Sequence, residues 1–199
     1  MTHLLLASLV AIVALQEPAK PHPGEKWYTS LSGYEFESAA RLIKAAPGAI
    51  DDFEAIINDP NVRPMHVTRL YYVLSKSKVD HKRFLKSALR DLNYAQAIVR
   101  DAAAMFAGNV GGGPEFAAPL LMMLLHDPDN SAACAAHIAL GKIGDEGTVV
   151  AFEHMIRFGH GQQETPERAK AVAKAFGDTR DEIKARLAAA AKAGPAPPK

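Results

Sequence analysis

Histidine, cysteine and carboxylate side chains are the groups in this chain that could do chemistry, and their spacing limits what kind. Six histidines follow the N-terminal stretch: His66, His81, His126, His137, His154 and His160. No two of them form His-Glu-x-x-His, the pattern that puts two imidazoles and a general base on one helix face. His154 and His160 are six residues apart, which is off a shared helix face. The single cysteine, Cys134, rules out an intrachain disulfide and a cysteine-rich zinc site. It lies in an alanine run with no base or cation beside it, so it reads as a small buried apolar residue. No Gly-x-Ser-x-Gly elbow occurs. Asp51, Asp52 and Glu54 cluster where a helix is expected to begin, and there the helix dipole favours negative charge without any catalytic role.

Two further stretches look like binding chemistry. "GNVGGGPEF", Gly108 to Phe116, has the glycines of a phosphate loop. A phosphate loop needs a lysine after its last glycine; Pro114 and Glu115 stand there instead, and the carboxylate would repel an anion. The stretch therefore reads as an inter-helix loop. "KSKVDHKRFLKSALR", Lys76 to Arg90, is the densest basic segment. It would suit an acidic protein, nucleic acid or anionic lipid, although the aromatic platforms of single-strand nucleic-acid binders are lacking.

The elements that must position these residues are helices. The 199 residues allow one ordinary domain once the ends are set aside. Alanine is abundant after residue 100, and it favours helices that approach closely. Net charge is +1, so nothing pulls the whole chain toward nucleic acid or membrane. The distribution is uneven: residues 65–100 carry eight Lys/Arg against two Asp, and residues 101–165 carry two against eight Asp/Glu. Solvated outer faces of helices account for both blocks.

The ends differ in kind. Leu4 to Leu15 is apolar apart from Ser8, too short to span a bilayer and of the length of a signal h-region. Residues 1–19 are therefore expected to be a signal peptide, cut after Ala14 or Ala19, although its n-region carries no Lys or Arg. Residues 20–30 read as a Pro-rich extended linker and 193–199 as a disordered Pro-rich tail, which leaves 31–192 as the folded domain.

That domain repeats. Asp59, Asp91 and Asp127 each follow an apolar run and precede another, at spacings of 32 and 36 residues. The second runs end on a large residue at Leu74, Phe106, Leu140 and Phe176, spaced 32, 34 and 36. A period of this size means stacked supersecondary units. Leu120, Leu121, Leu124 and Leu125 make one broad helical stripe, Asp-Pro ends it, and the aspartate starts the next helix. Gly141 or Gly144 is expected to close the second helix in left-handed geometry, with Asp145 capping the next one. Aligning the second helices on their large residue gives two apolar columns, Val67/Val99/Ala133/Ala169 and Leu70/Ala102/Ala136/Val172, and two mostly polar ones, Thr68/Arg100/Cys134/Lys170 and Arg69/Asp101/Ala135/Ala171. The apolar columns predict the buried seam and the polar columns a surface.

Residues 120–156, with their apolar run, Asp-Pro turn, Ala-rich second helix and Leu-Gly-x-Ile-Gly-Asp, resemble a HEAT repeat, closest to the short HEAT-like repeats also found in phycobilisome lyases. The resemblance implies an all-α, right-handed α-solenoid of about four HEAT-like helix pairs, with a flanking N-terminal helix over Tyr34–Ala46. It also implies a macromolecule-binding role rather than lyase activity. The leading expectation is an exported, non-catalytic, monomeric protein-binding scaffold that uses no cofactor or metal and has no stable membrane span and no nucleic-acid partner. Its partner is expected to be another protein, met by Arg69, Arg100, Lys170, Tyr72 and His137. Two alternatives stay open. One is a lyase-like enzyme or enzyme subunit acting on a chromophore or carrier protein; the other is a cytoplasmic scaffold whose first residues form a helix.

Overall fold

A computed structural model describes residues 24–33, 36–159 and 165–193. The described residues form no strand and ten α-helices: α1 Tyr28–Ser32, α2 Phe36–Ala45, α3 Ile50–Asn58, α4 Pro64–Lys76, α5 Lys82–Asp91, α6 Ala97–Val110, α7 Ala117–His126, α8 Asn130–Ile143, α9 Glu146–Phe158 and α10 Pro166–Ala193. The all-α expectation holds. Among the described residues no helix is long and apolar enough to cross a membrane. The expected signal segment 1–19 and the tail from residue 194 onward lie outside the described residues.

Local chemistry sets the helix ends. Pro64 opens α4, where its fixed φ suits the first helical position and no amide donor is lost. Asp129 caps α8 by accepting from the backbone N–H groups of Ser131 (2.9 Å) and Ala132 (3.1 Å). Asp145 caps α9 through a reciprocal box: its carboxylate accepts from the Thr148 N–H at 2.8 Å, and the Thr148 hydroxyl accepts from the Asp145 N–H. α6 ends on Gly111 at φ 77°, and the Gly112 N–H donates back to the Ala107 carbonyl at 2.8 Å. The loop reading of Gly108 to Phe116 holds only for Gly111–Gly113: Gly108–Val110 are the last residues of α6, and Pro114–Phe116 form a 3-10 turn.

The helices pack as pairs, α3 with α4, α5 with α6, α7 with α8 and α9 with α10. The second members also pack in series, α4 on α6, α6 on α8 and α8 on α10, while α1 and α2 cover α4. One hydrophobic core runs through them from Leu31 to Ile183. It contains all four landmark residues, Leu74, Phe106, Leu140 and Phe176, none more than 5% exposed.

The tightest of these interfaces joins α6 to α8. Ala103, Ala104 and Ala107 face Ala132, Ala135, Ala136 and Ala139 across it, all buried. At Gly108 a methyl group would lie 2.8 Å from the Ala139 Cα, so the backbones meet where no side chain fits. Buried alanine is concentrated on these two helices, where small side chains let the two axes close up.

Several expectations give way to the structure. Glu25–Trp27 and α1 are helical although they fall within the stretch read as a linker. Aromatic packing explains it: the Trp27 ring meets Phe53 edge-on at 5.4 Å, its N–H donates to Asp52 at 2.9 Å, and Leu31 is fully buried. Asp91 is not a turn residue like Asp59 and Asp127. It ends α5 with 1% exposure and accepts the Tyr71 hydroxyl at 2.7 Å. Neither Gly141 nor Gly144 is left-handed; the only positive-φ residues described are Gly111 and Gly159. Gly144 is small because Ile183 and the Thr148 side chain crowd it.

The largest departure is α10. Phe176 lies inside a 28-residue helix instead of ending one. Tethers between earlier second helices join residues 30 to 33 apart, Thr68 to Ile98, Ser131 to Asp101 and Lys142 to Asn109. Those between α8 and α10 join residues 42 apart, His137 to Thr179 and Gly144 to Arg186. α10 is therefore displaced along its axis, and Ile183, not Phe176, sits beside the end of α8. The seam columns hold only in part: Val67, Leu70, Val99 and Ala136 are buried, Ala102, Ala133 and Val172 are half-buried, and Ala169 is exposed.

Gly108→Ala tests the close approach. Alanine in an exposed helix interior gains about 1 kcal/mol over glycine. Here the added methyl must displace the α8 backbone, so a net loss of about 1–3 kcal/mol is expected in urea unfolding. An unchanged or raised midpoint would show that the two helices are not held that tightly.

Candidate functional site

The layer of second helices carries a groove of about 330 Å³ between α4 and α6. Its floor is built from Tyr71 and Phe106, both buried, with ring centroids 5.2 Å apart. Its walls are Tyr72, Ala102 and Met105. Thr68 and Asp101 stand at the end nearer the helix N-termini; Ser75, Lys76 and Asn109 stand at the other. Tyr72 is 52% exposed although its neighbour Tyr71 is 1% exposed. On the next helix Ile138 is 45% exposed, flanked by Ser131, Cys134 and Lys142, which are also exposed. Exposed apolar side chains thus lie on α4 and α8, and half-buried Met105 lies on α6, which packs against both.

Hydrogen bonds between those helices hold the rim. The Ser131 hydroxyl donates to Asp101 Oδ2 at 2.8 Å, and Lys142 Nζ donates to Asn109 Oδ1 at 2.6 Å. The second bond occupies the Asn109 oxygen and leaves its NH₂ group as the donor facing elsewhere.

Of the five residues expected to meet a partner, only Tyr72 lines this groove. Arg100 is locked into the fold. Its guanidinium grips Asp127 in a bidentate pair at 2.6 Å on both oxygens, and it also donates to the carbonyls of Tyr94 and Ala95. Those side chains are 12% and 3% exposed, and the pair ties α6 to the α7–α8 turn. The Arg100 guanidinium and the Asp129 N–H hold the Asp127 carboxyl below the usual carboxylate range against its burial. His137 is also structural. Its ring sits edge-on to Phe152 (5.7 Å) and Phe176 (5.3 Å), and Nε2 bonds the Thr179 hydroxyl at 2.7 Å. Arg69 is half-buried on α4, and Lys170 is exposed on the first turns of α10, away from the displaced contact region.

Other chemistry-bearing residues are likewise used by packing. Arg83 pairs with Asp51 at 2.7 Å and with Glu54, so the carboxylate cluster of α3 anchors α5. Asp52 takes Lys26 and Trp27, which hold its carboxyl below the ordinary range. Arg90 spans Asn58, the Ile57 carbonyl and Asp91. The basic segment keeps Lys76, Lys78, Lys82 and Lys86 exposed without a partner role, while Arg83 and Arg90 hold neighbouring helices and remain exposed themselves. Cys134 is exposed, contrary to its reading as buried. An alanine run carries no mark of which face is inside, and the buried phase is the one through Ala132, Ala135 and Ala139. Among the described residues no group of three His, Cys, Asp or Glu side chains is close enough to hold a metal ion.

The groove was nevertheless written in the sequence. Tyr72 and Ile138 each stand two residues before a buried landmark, Leu74 and Leu140. Two residues are about 200° around a helix, so a large apolar residue there must face away from the core. Alignment by polar columns passed over that signal.

Two measurements test the structural roles. Asp127→Asn leaves a mostly buried guanidinium without its charge partner, and a loss of about 3 kcal/mol is expected in equilibrium unfolding. The double variant Arg100→Met, Asp127→Leu should recover most of it; a single variant as stable as the parent would make the pair a surface ornament. His66 and His137 supply the second test. Burial lowers the pKa of both, with Arg63 adding to the effect at His66 and Glu182 opposing it at His137. The folded state thus favours the neutral ring, so the stability they contribute is present above the ordinary value of 6.5 and lost as pH falls through it. The urea midpoint should drop between pH 7.5 and 5.5, and replacing both residues by Gln should flatten that drop.

No family model matches the chain, and no curated protein matches it.

Proposed function

We propose that this chain is a non-catalytic protein-binding scaffold. In this reading its helix pairs stack as about four HEAT-like repeats in a right-handed α-solenoid, preceded by the α1–α2 segment. Its first 19 residues direct it out of the cytoplasm, and it works as a monomer on another protein, with no cofactor and no nucleic acid.

One observation carries the reading. Tyr72 and Ile138 bring exposed apolar side chains to the same layer of side-by-side helices, with half-buried Met105 on the helix that packs against both. A soluble chain gains nothing from a row of exposed apolar side chains unless something covers them. The charged groups that could serve catalysis are instead consumed by packing: Arg100 with Asp127, Asp91 with Tyr71, and Arg83 with Asp51 and Glu54. A stack of helix pairs also offers a rigid, extended face on which a partner loses little of its affinity to ordering the scaffold.

A photo-crosslinking amino acid placed singly at Tyr72, Ile138, Val150 and Lys86 tests the surface in living cells. The first two lie on the second-helix layer; Val150 and Lys86 are exposed on first helices. One adduct shared by Tyr72 and Ile138 and missing from the other two is expected. Adducts from Val150 or Lys86 alone would move the binding face to the other layer. For export, the mature protein should begin after Ala14 or Ala19; a cytoplasmic chain that keeps Met1 would overturn it.

A further inference from the structure

The α4–α6 groove has a chemical direction that narrows the partner, and the inference rests on the scaffold reading above. Its centre is apolar, with Tyr72, Ala102 and Met105 over the buried rings of Tyr71 and Phe106. One end carries the Asp101 carboxylate, steadied by the Ser131 hydroxyl. The other end carries the exposed Lys76 ammonium and the Asn109 amide, whose oxygen is occupied by Lys142. Lys76 makes no ion pair among the described residues, and the Lys142 ammonium adds a second positive charge at that end.

The spacing is regular. Asp101 to Met105, Met105 to Asn109 and Tyr72 to Lys76 are each four residues, about 6 Å of helix rise. Charge of one sign thus lies about 6 Å to one side of an apolar centre, and charge of the other sign the same distance to the other side. An extended chain puts side chains i and i+2 on one face about 7 Å apart. A volume of about 330 Å³ is at the small end of ligand sites, room for a single large side chain rather than a whole helix.

We infer that the groove binds an extended segment of a partner protein in which a large apolar residue is flanked, two positions to either side, by one basic and one acidic residue. The apolar side chain enters between Tyr72 and Met105. The basic side chain meets Asp101, and the acidic one meets Lys76 and Asn109. Reversing the chain direction satisfies the same contacts, so the pattern Lys-x-Phe-x-Glu and its mirror order are equivalent, whereas two like charges are not.

The test uses four labelled peptides with acetylated and amidated ends, titrated with the full chain by fluorescence anisotropy to about 1 mM, the affinity of a weak single-site contact. Their cores are Lys-Ala-Phe-Ala-Glu, Glu-Ala-Phe-Ala-Glu, Lys-Ala-Phe-Ala-Lys and Lys-Ala-Ala-Ala-Glu. The mixed-charge phenylalanine peptide should bind tightest, by about fivefold over each like-charge peptide, the size of one exposed ion pair. Replacing its phenylalanine should abolish binding. The double variant Lys76→Glu, Lys142→Glu makes both ends acidic and should shift preference to the doubly basic peptide; Asp101→Lys should shift it to the doubly acidic one. Such a change in rank order cannot come from misfolding. Equal affinity for all four peptides, or no binding by any, overturns the inference. If cross-links from Tyr72 persist in that case, the scaffold reading stands and only the charge pattern falls; if they vanish too, both fall.

Discussion

The close approach of α6 and α8 is the constraint on which the rest of the structure depends. Two helices whose backbones meet at Gly108 and Ala139 can bury little beyond methyl groups between them. Area is therefore gained by length and complementarity, not by large side chains, and both helices run 14 residues. The large residues are pushed outward to the seams with the first helices, where Phe84, Phe116, Leu120 and Phe152 are fully buried. The contact is thin at the α6–α8 seam alone; the neighbouring second-helix seams carry bulky rings, Tyr71 on Phe106 between α4 and α6 and His137 on Phe176 between α8 and α10. A larger side chain at Gly108 would push the second helices apart and open a gap under every polar tether that crosses from α6 to α8.

Those tethers explain where the charges went. A layer of parallel helices with small side chains has few specific contacts to fix its register, and alanine slides easily over alanine. Ser131–Asp101 and Lys142–Asn109 fix the sliding degree of freedom at both ends of the α6–α8 seam. Arg100 does more, because it joins α6 to the turn between α7 and α8 through a nearly buried bidentate pair. Tyr71 and Asp91 do the same between α4 and the end of α5. Burying the Tyr71 hydroxyl against that carboxylate raises its pKa well above the ordinary tyrosine value, so it stays a hydrogen-bond donor at any physiological pH. Residues that look in the sequence like a basic surface are in this way drawn into the fold. The lysines, with long flexible stems, are left in water.

How much of this could be read from the sequence follows from which signals packing must leave behind. The helix pairs were legible because Leu74, Phe106 and Leu140 recur and because Asp-Pro and Asp145 mark real helix boundaries. Arg100 and His137 were misread as surface groups. Column alignment records polarity, and a polar residue that finds a buried partner looks the same as one that faces water. The partner of Arg100 is 27 residues away and that of His137 is 42, and nothing local announces either. Cys134 was misread for the opposite reason, since in a run of alanines the inner and outer faces have the same composition. The N-terminal segment was missed because prolines and charges outweigh a single tryptophan in any composition window, yet the Trp27 ring against Phe53 is enough to fold it down.

The displacement of α10 shows how the outermost helix of a layer differs from those inside it. Each inner second helix is covered on both sides by a neighbour of the same kind; the last has a neighbour on one side only. A copy of α8 there would expose an alanine face with nothing to bury it. The chain instead supplies a longer helix whose contacts to α8 join residues 42 apart rather than 30 to 33. That shift brings Thr179 over His137 and Ile183 beside Gly144, so the α8 end is closed by one aliphatic side chain and two side-chain hydrogen bonds. The rest of α10 is mostly polar or alanine and stands in solvent, with only Phe176 and Ile183 buried along its 28 residues. Within the second-helix layer Tyr72 and Ile138 face outward, each two residues before a buried landmark, while Met122, Val150 and Phe158 give the first helices α7 and α9 exposed apolar side chains of their own.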